Sequence, residues 1–393
     1  MKKLTAALIA LILAFSVVAA SFVTLNSIAD SKSSLNQCYV GVAFCGNTTA
    51  EAKLLVDRVK DYTNLFIVQS GPISHNETET NEVCNYAVAS GLNIIVYFGD
   101  LNPRILTQKN LEWRSTWVST AKERWGNHFL GVFYYDEPGG IWIDTNWTSI
   151  TNSSSRFRLA SNSTYDSAEQ LFVSGLQRDG GVIMLKNNSI PIFVSDYALY
   201  WFDYLAGYDV VFTQMGWNNS ITQQIAQVRG AATMQNKSWG VMITWKYDTY
   251  PYLDSGKEIY NQIVTAYDAG AKYITIFNYP QLPDNPYGVM QDEHFEALKQ
   301  FWNDATNHKI IHNSSTAKAA FVLPCNYGWG MRKPDDRIWG FWGPDEKSPQ
   351  IWEQNTKLLG QFGLSLDIIY DGPNVSPTEK YPRVYWWNVT TTS

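Results

Sequence analysis

Two adjacent carboxylates, Asp136 and Glu137, follow a hydrophobic run that ends in Tyr135, and Pro138 comes directly after them. Adjacent carboxylates repel each other and aromatic walls disfavour charge, so one of the two is expected to have a raised pKa. Cleavage of a glycosidic bond usually requires one protonated and one ionised carboxyl group. The pair therefore predicts acid chemistry on a sugar substrate. The structural alternative is an acidic turn whose aspartate caps a backbone amide.

Aromatic rings, amides and further carboxylates follow several other hydrophobic runs. Amides and carboxylates form paired hydrogen bonds with hydroxyl groups, while indole and phenol rings cover the apolar face of a sugar. A neutral polyhydroxylated ligand fits this mixture, whereas a phosphate ligand requires glycine-rich turns and basic side chains. Asp196 and Asp248 are the carboxylates expected to assist Glu137. The predicted substrate-binding residues are Tyr97, Asp100, Tyr135, Tyr197, Gln214, Trp217, Trp245, Tyr247, Asn278 and Tyr279.

Three features near these residues have simple structural alternatives. Asp100 follows a glycine at the end of a strand, which is more typical of a turn cap than of a sugar ligand. Lys246 can pair with Asp248 or face a substrate carboxylate. Residues 326–346, the tryptophan-rich segment, form either a lid or sugar platform or a packing surface between domains, and packing is favoured.

The elements that position these side chains are short apolar runs that alternate with longer amphipathic stretches. Near-continuous apolar runs are typical of parallel strands that are covered on both faces. Eight strand–helix repeats over residues 37–310 match the size of a (β/α)8 TIM barrel, where functional side chains collect at the carboxyl ends of the strands. A doubly wound open sheet shows the same alternation and is the less favoured alternative. The predicted strands are 39–44, 65–68, 93–98, 130–135, 191–194, 210–212, 240–245 and 273–277. The predicted helices include 50–62, 81–90, 111–125, 167–178, 222–235, 257–269 and 292–306, and no range is assigned to the helix between the fifth and sixth strands.

A smaller α/β domain is predicted for residues 317–393. Two apolar runs, 319–323 and 366–370, flank a helix-like stretch at 350–362, and residues 381–387 fit a third strand. Strands that alternate with a helix favour a βαβ-type unit. The fold class is therefore α/β, with a TIM barrel followed by the smaller α/β domain.

With Glu137 at the end of its fourth predicted strand, the chain resembles the glycoside hydrolase-type (β/α)8 barrels, whose acid/base carboxylate lies at that position. The resemblance implies the general acid/base role for Glu137. Familiar retaining members also have a nucleophilic glutamate at the end of strand seven. Here strand seven reads Ile243-Thr244-Trp245-Lys246-Tyr247-Asp248, so Asp248 is the nearest substitute and Asp196 the next. In this respect the sequence departs from the ordinary double-displacement pattern.

The Asp-Glu pair also resembles hexosaminidase-type barrels, in which the acetamido group of the substrate is the nucleophile. That resemblance implies that Asp136 orients the acetamido group and Glu137 is the acid, with no nucleophile on strand seven. The downstream domain is similar in placement to accessory domains of β-galactosidase-like enzymes. Because successive side chains of a strand point in opposite directions, Asp136 and Glu137 share one site only if the strand bends there.

The composition excludes several other classes of protein. The 393 residues are 45 % hydrophobic and 17 % charged, which allows a large core and excludes general disorder. The net charge is −6 and the basic residues form no cluster, so no nucleic-acid partner is expected. The five histidines lack zinc-ligand spacing, so no metal or other cofactor is predicted and a metal-dependent deacetylase is disfavoured.

The N-terminal residues 1–30 are predicted to be a signal peptide or an uncleaved membrane anchor. Lys2 and Lys3 precede an apolar run of about 20 residues, which fits either a secretory signal or a bilayer span. Eleven Asn-x-Ser/Thr sequons also favour an extracellular or cell-surface location, with an Asn- and Thr-rich composition as the alternative explanation. Three of them lie in segment 141–165, which interrupts the barrel repeat and is interpreted as a glycosylated loop. The sequons are at Asn47, Asn76, Asn146, Asn152, Asn162, Asn187, Asn218, Asn236, Asn313, Asn374 and Asn388.

Four cysteines in an exported chain allow up to two disulfides. Cys38 and Cys45 lie at opposite ends of one predicted strand, about 20 Å apart, and are too distant to pair. Two of the three possible connectivities remain, and of these the one that joins Cys45 to Cys84 is the prediction adopted.

Two functions remain open on these grounds. The first is an exported, glycosylated glycoside hydrolase-like protein that cleaves or binds a polysaccharide or other glycan, with Glu137 as general acid/base. The second is a non-catalytic cell-surface protein that binds carbohydrate or forms part of an envelope layer. An enzyme requires a second carboxylate within about 5–10 Å of Glu137 around an open cleft, whereas a binding protein requires only the aromatic rim.

Overall fold

The computed structural model describes residue 35, residues 38–145, residue 147, residues 163–279, residue 282, residues 284–310, residue 312 and residues 317–389. The predicted signal or anchor at residues 1–30 lies outside the described residues. So do residues 148–162, which make up most of the predicted glycosylated loop. None of the helices that are described has the length and apolar character to cross a bilayer.

Eight parallel strands form a closed barrel in sequence order, in which β8 pairs with β1. The apolar runs of the sequence account for these strands, and every observed strand begins and ends within three residues of its prediction. Closure of the barrel confirms the TIM barrel and excludes the open doubly wound sheet. The strands are β1 (Tyr39–Phe44), β2 (Leu65–Val68), β3 (Asn93–Tyr97), β4 (Phe129–Phe133), β5 (Ile192–Asp196), β6 (Val210–Met215), β7 (Ser238–Ile243) and β8 (Tyr273–Asn278).

Helices of the described chain surround the barrel and pack on its outer face. The predicted long helices are present, because their apolar residues recur at helical spacing and face the barrel. Several helices of four to eight residues were not predicted, since so few residues carry no clear periodicity. The helices up to strand six are α1 (Thr49–Val59), α2 (Gly71–Ser74), α3 (Glu77–Ala89), α4 (Pro103–Lys109), α5 (Trp113–Trp125), α6 (Pro138–Asp144), α7 (Tyr165–Gln177), α8 (Gly180–Asn187) and α9 (Tyr200–Ala206). The later barrel helices are α10 (Ile221–Met234), α11 (Gly256–Asp268) and α12 (Asp292–Thr306), while α13 (Ser348–Phe362) and α14 (Pro377–Lys380) belong to the smaller domain.

The interior of the barrel is filled by one cluster of side chains from alternate strand positions. Since side chains alternate along a strand, the residue two positions beyond an inward-facing one also faces inward. Phe193, Phe212 and Met242 belong to this cluster, so Ser195 and Gln214 continue the inward face at the carboxyl ends of β5 and β6. The cluster consists of Ala43, Leu65, Ile67, Ile95, Phe133, Phe193, Val210, Phe212, Met242 and Tyr273.

A three-stranded parallel sheet forms the smaller α/β domain, in the order β10-β9-β11. Its strands are β9 (Ala319–Leu323), β10 (Leu366–Tyr370) and β11 (Val384–Trp386), as predicted for the first two and shorter than predicted for the third. Strand β10 lies against helix α10 of the barrel. There Arg229 Nε donates to Asp367 Oδ1 over 2.8 Å, and both side chains are buried. The small domain is therefore docked on the barrel through a buried ion pair.

The tryptophan-rich segment packs between the small domain and the barrel. Tyr327, Trp329 and Trp339 are at most 1 % exposed. Trp339 lies 4.5 Å from Phe202 of α9 and 6.0 Å from Phe172 of α7, measured between ring centroids. Rings that are this deeply buried cannot form a platform for a sugar in solution. The packing interpretation is confirmed for these three residues.

The predicted Cys45–Cys84 disulfide is wrong, because all four cysteines are free thiols. Cys45 lies two residues beyond the inward-facing Ala43 and therefore faces the barrel interior. Cys84 belongs to α3 and is buried in the layer between the helices and the outer face of the barrel. The wall of the barrel separates the two sulfur atoms. Cys38 is also buried, and Cys325 is exposed.

Candidate active site

The chain turns sharply where β4 ends, and this turn settles whether Asp136 and Glu137 share one site. Tyr135 and Glu137 both have left-handed backbone conformations, with φ values of 63° and 53°. Such conformations cost free energy for residues other than glycine and persist only where the surroundings hold them. The turn rotates the backbone on either side of Asp136, so that both carboxylates line the same cavity. The bend that the sequence required is therefore present.

Pro138-Gly139-Gly140 begins helix α6 directly after Glu137, where the sequence suggested only a turn. Proline is well tolerated at the first position of a helix because its nitrogen has no hydrogen to donate. Glycine is needed at both following positions. A Cβ atom at Gly139 would lie 2.6 Å from the carbonyl oxygen of Ala198, and one at Gly140 would lie 2.2 Å from Cζ of Tyr197. The helix is thereby packed closely against the segment after β5.

A cavity of about 160 Å³ opens at the carboxyl ends of the barrel strands, which is where barrel enzymes carry their active sites. Its wall combines two carboxylates, two amides, two hydroxyl groups and three aromatic rings. The residues that line it are Gln69, Asp136, Glu137, Ser195, Gln214, Trp217, Met242, Thr244, Trp245 and Phe277.

Hydrogen bonds from β5 and β6 hold the two carboxylates in place. Ser195 Oγ donates to Asp136 Oδ1 over 2.8 Å, and Gln214 Nε2 donates to Glu137 Oε1 over 2.6 Å. Gln214 Nε2 also lies within hydrogen-bonding distance of Ser195 Oγ, at 3.3 Å. Donors from two other strands therefore fix the orientation of both carboxylates before a ligand binds.

Burial and the neighbouring charge of Glu137 raise the pKa of Asp136 to about 7, although the hydrogen bond from Ser195 opposes the rise. Protein surrounds the Asp136 carboxyl on most sides, yet its side chain remains accessible through the mouth of the cavity. The pair therefore retains a proton close to neutral pH at a position that a ligand can reach. The expected raised pKa is present and belongs to Asp136.

Asp196 does not reach the cavity, in contrast to the prediction that it assists catalysis. Its carboxylate is fully buried and accepts hydrogen bonds from the backbone N–H groups of Gly139, Gly140, Tyr197 and Ala198, at 2.6, 2.8, 2.7 and 3.2 Å. The side chain points outward from the barrel because it follows the inward-facing Ser195. Asp196 therefore fixes the start of α6 and the segment after β5.

Asp248 also lies away from the cavity wall and is exposed on the loop after β7. The nearby Lys246 forms an ion pair with Asp254 at 3.8 Å. The end of β7 presents Thr244 and Trp245 to the cavity. Among the described residues, the carboxylates that line this cavity are Asp136 and Glu137.

Three predicted binding residues line the cavity, and two others lie beside it. Gln214, Trp217 and Trp245 belong to the wall. The ring of Tyr279 packs edge-on against Trp245 at 5.7 Å and is 41 % exposed. Tyr97 continues the inward face of β3 from Ile95. The aromatic part of the predicted rim is therefore concentrated near the ends of β6, β7 and β8.

The other five predicted binding residues lie outside the cavity wall, and four of them have structural partners elsewhere. Asp100 Oδ1 accepts from the backbone of Asn102 over 2.9 Å, as the turn-cap alternative suggested. Tyr135 donates its hydroxyl to Asp179, at 3.1 Å, and Tyr197 donates its hydroxyl to Asp144, at 2.9 Å. Asn278 and Tyr247 are also outside the cavity wall. Asn278 Oδ1 accepts two backbone N–H groups of the following loop, and Tyr247 is exposed on the loop after β7.

Sequence reasoning missed Ser195, Met242, Thr244 and Phe277 as cavity residues. The signal was the alternation of side chains along each strand. Ser195 lies two residues beyond Phe193, and Thr244 lies two residues beyond Met242, both of which face inward. Their neighbours Asp196 and Trp245 were selected for their chemistry instead of their position. Within the described residues, no group of three or more His, Cys, Asp or Glu side chains is placed to hold a metal ion.

Solved structures of glycoside hydrolases share this architecture. A cold-adapted β-galactosidase from Rahnella sp. aligns with a TM-score of 0.55 and 12 % identity, over 89 % of this chain and 67 % of that one. A GH5_18 protein from Bifidobacterium longum subsp. longum, in complex with Manβ1-4GlcNAc, aligns with a TM-score of 0.54 and 11 % identity, over 90 % of this chain and 96 % of that one. A GH5_18 protein from Streptomyces cattleya, in complex with GlcNAc, aligns with a TM-score of 0.55 and 10 % identity, over 89 % and 98 %.

The fold is that of the glycoside hydrolase barrels. At identities of 10–12 %, the likeness concerns the fold and not the reaction. No protein-family model matches the sequence, and no curated protein matches it. The function must therefore be argued from the cavity itself.

Proposed function

We propose that the protein is an exported, cell-surface or secreted glycoside hydrolase-like protein that binds and cleaves a glycan in the cavity above β4 to β8. The observation that carries this proposal is the pair Asp136 and Glu137, held by Ser195 and Gln214 in a cavity with an aromatic wall. Glu137 serves as general acid/base. Asp136 lies beside it and keeps a proton in the pair near neutral pH.

The carboxylates favour a substrate-assisted reaction over double displacement. Double displacement requires a second carboxylate on the opposite side of the bond, about 5 Å from the acid. The cavity wall presents Thr244 and Trp245 where β7 ends, and Asp248 is exposed outside it. A substrate acetamido group that acts as nucleophile removes the need for that carboxylate, and Asp136 is then placed to orient it. N-acetylhexosamine glycans are therefore the proposed substrates, in keeping with the GlcNAc-containing ligands of two fold relatives.

The reaction assigns separate tasks to the residues of the cavity. Asp136 and Glu137 share the proton that the pair retains, and Glu137 passes it to the glycosidic oxygen while the acetamido oxygen attacks the anomeric carbon. The leaving sugar departs with its hydroxyl restored, and both carboxyl groups are then ionised. Glu137 then accepts a proton from the water that opens the cyclic intermediate. Trp217 and Trp245 offer ring faces to the apolar side of the sugar. Gln214 keeps one oxygen of Glu137 fixed throughout.

A carbohydrate-binding protein without catalytic activity is the second proposal, and one observation favours it. Both cavity carboxylates come from the end of β4, and the other walls supply amides, hydroxyl groups and rings, which suffice for binding. Under either proposal the residues before 31 deliver the chain to the cell exterior, where they are removed or remain as an anchor. The sequons are then the sites of glycosylation.

The experiment that tests the proposal is hydrolysis of matched N-acetylated and non-acetylated oligosaccharides by the wild type, Glu137→Gln and Asp136→Asn. Turnover of the N-acetylated set is expected, with a loss of at least about 100-fold in kcat for Glu137→Gln. Glu123→Gln on the exposed face of α5 is the matched control and keeps full activity. Asp248→Asn is measured in the same assay. A loss of hydrolysis in this variant, and not in Glu137→Gln, would show that a carboxylate after strand seven takes part. Sugar binding without turnover would establish the second proposal.

A further inference from the structure

Arg332 of the tryptophan-rich segment joins the small domain to helix α6. Its Nη1 donates to Asp144 Oδ2 over 2.9 Å and its Nη2 donates to Asp144 Oδ1 over 2.7 Å, which is a forked pair of bonds. On its other side Arg332 bonds Asp336 through Nε at 2.9 Å and Nη2 at 2.8 Å. The Asp336 side chain is 2 % exposed, whereas that of Asp144 is half exposed. Arg332 is thus anchored in its own domain and reaches out to α6.

Tyr197 lies between this contact and the start of α6. Its hydroxyl donates to Asp144 Oδ2, and its ring lies under the guanidinium group of Arg332, 5.4 Å from the ring centre. The same ring packs against Gly140, where a Cβ atom would not fit. Arg332, Asp144, Tyr197 and Gly140 therefore form one connected contact, which we term the α6 clamp.

Helix α6 requires such support on physical grounds. It has seven residues, and helices this short are unstable without contacts to other elements. Its first amides are held by Asp196. Its last residue, Asp144, places a negative charge at the end of the helix where the backbone dipole is also negative. Arg332 offsets this repulsion, and the hydrogen bonds of Arg332 and Tyr197 outweigh burial and lower the pKa of Asp144.

The residue directly before α6 is Glu137, which caps the helix with a left-handed backbone conformation. A conformation of this kind is kept only while the elements on both sides hold it. Movement of α6 therefore moves Glu137 relative to Asp136 and Gln214. We propose that Arg332 is a positioning residue, through which the small domain holds α6 and keeps Glu137 in the cavity. The effect of Arg332 on catalysis rests on the proposed function, whereas its support of helix α6 does not.

The test compares the wild type with Arg332→Gln and with Asp144→Ala, which leaves the Arg332–Asp336 bonds in place. Lys333→Gln is the matched control, since Lys333 is exposed and its ion pair is with Asp335 in the same segment, at 3.6 Å. Hydrogen exchange of the backbone amides of residues 139–145 is expected to accelerate about three- to tenfold in both variants and to stay unchanged in the control.

Two further readouts separate positioning from general support. If Glu137 moves away, its charge acts less on Asp136, so the titration midpoint of Asp136 falls in carboxyl-labelled NMR spectra. For an active enzyme, kcat falls about tenfold while KM changes little, and Arg332→Lys restores part of the loss.

If hydrogen exchange of residues 139–145 is the same in Arg332→Gln, Asp144→Ala and the wild type, the α6 clamp does not support the helix and the proposal is overturned. If this hydrogen exchange becomes faster but the titration midpoint of Asp136 does not change, Arg332 supports α6 without positioning Glu137, and the positioning role is overturned. A lower midpoint in a protein that cleaves no sugar supports the clamp and contradicts the proposed enzyme, so the two failures are distinguishable.

Discussion

Asp136 lies just beyond β4 and Asp196 is the last residue of the neighbouring strand β5, and burial raises the pKa of both carboxyl groups above the ordinary value. Their surroundings nevertheless differ. Asp136 faces a cavity, has Glu137 as its neighbour and accepts one hydroxyl hydrogen bond. Asp196 faces the outer layer, is inaccessible and accepts four backbone N–H groups. A raised pKa is therefore shared by a residue that a ligand can reach and by one that supports the backbone.

The comparison shows that direction along the strand decides which carboxylate is available for chemistry. Perturbed pKa values are common at functional sites, but buried structural groups produce them as well. Asp203 is a further example, because it is fully buried beside Asp196 and burial raises its pKa well above its ordinary value. The four N–H donors favour the ionised form of Asp196, so Asp203 is the protonated member of that pair.

The largest expected effect is the loss of stability in Asp196→Ala. Four buried N–H groups would lose their acceptor, and we expect a decrease of about 3–5 kcal/mol in the free energy of unfolding. Urea denaturation monitored by tryptophan fluorescence measures it. Asp248→Ala, at an exposed carboxylate, is the control and changes stability by less than about 0.5 kcal/mol. Equal effects of the two substitutions would contradict the structural role of Asp196.

Asp203→Asn is expected to change the pH dependence of stability. A carboxyl group with a raised pKa binds a proton in the folded state while the unfolded chain has released it, so the wild type loses stability as pH rises above about 4. Asparagine does not titrate. The free energy of unfolding of the variant therefore rises relative to that of the wild type by up to about 1.4 kcal/mol per pH unit over that window. Unfolding curves between pH 4 and 8 measure the difference. Parallel curves for the two proteins would show that Asp203 is ionised in the folded state.

Asp136→Asn is expected to stabilise the folded protein at neutral pH while it impairs the site. The raised pKa of Asp136 means that its ionised form opposes folding above about pH 4, and this cost reaches its full size above about pH 7. Because water reaches the side chain, we expect a gain of only about 1 kcal/mol at pH 7. Thermal unfolding at pH 5 and pH 7 provides the measurement. Destabilisation at both pH values would place Asp136 with Asp196 among the supporting residues.

Much of the fold was predictable because the strands are continuous apolar runs. Strands β1, β2, β9 and β10 agree with their predictions at both ends. The aromatic rim was found for Trp217 and Trp245. The order of residues in a strand also contained the inward position of Ser195, but the charge of Asp196 made it the more conspicuous choice. If inward positions are counted from Phe193 at every second residue, Ser195 faces the cavity and Asp196 does not.

Other parts of the site depend on contacts that no local pattern contains. The left-handed conformations of Tyr135 and Glu137 result from packing around the turn, and sequence propensity disfavours them for both residue types. The Arg332–Asp144 contact joins residues 188 positions apart. The absence of the predicted disulfide also could not be foreseen from local pattern, because the closed barrel alone places Cys45 inside its sheet and Cys84 outside it.

The smallest expected effect comes from Ser195→Ala, which removes the hydroxyl that donates to Asp136. That hydrogen bond favours the ionised form, so its loss should raise the pKa of Asp136 further. Carboxyl-labelled NMR titration measures the midpoint, and Ser119→Ala on the exposed face of α5 is the control. A neighbouring Asp196 midpoint that stays constant would confirm that the two carboxylates respond to separate surroundings. An unchanged Asp136 midpoint would show that the Ser195 hydroxyl does not hold the ionised form of Asp136 and would contradict this prediction.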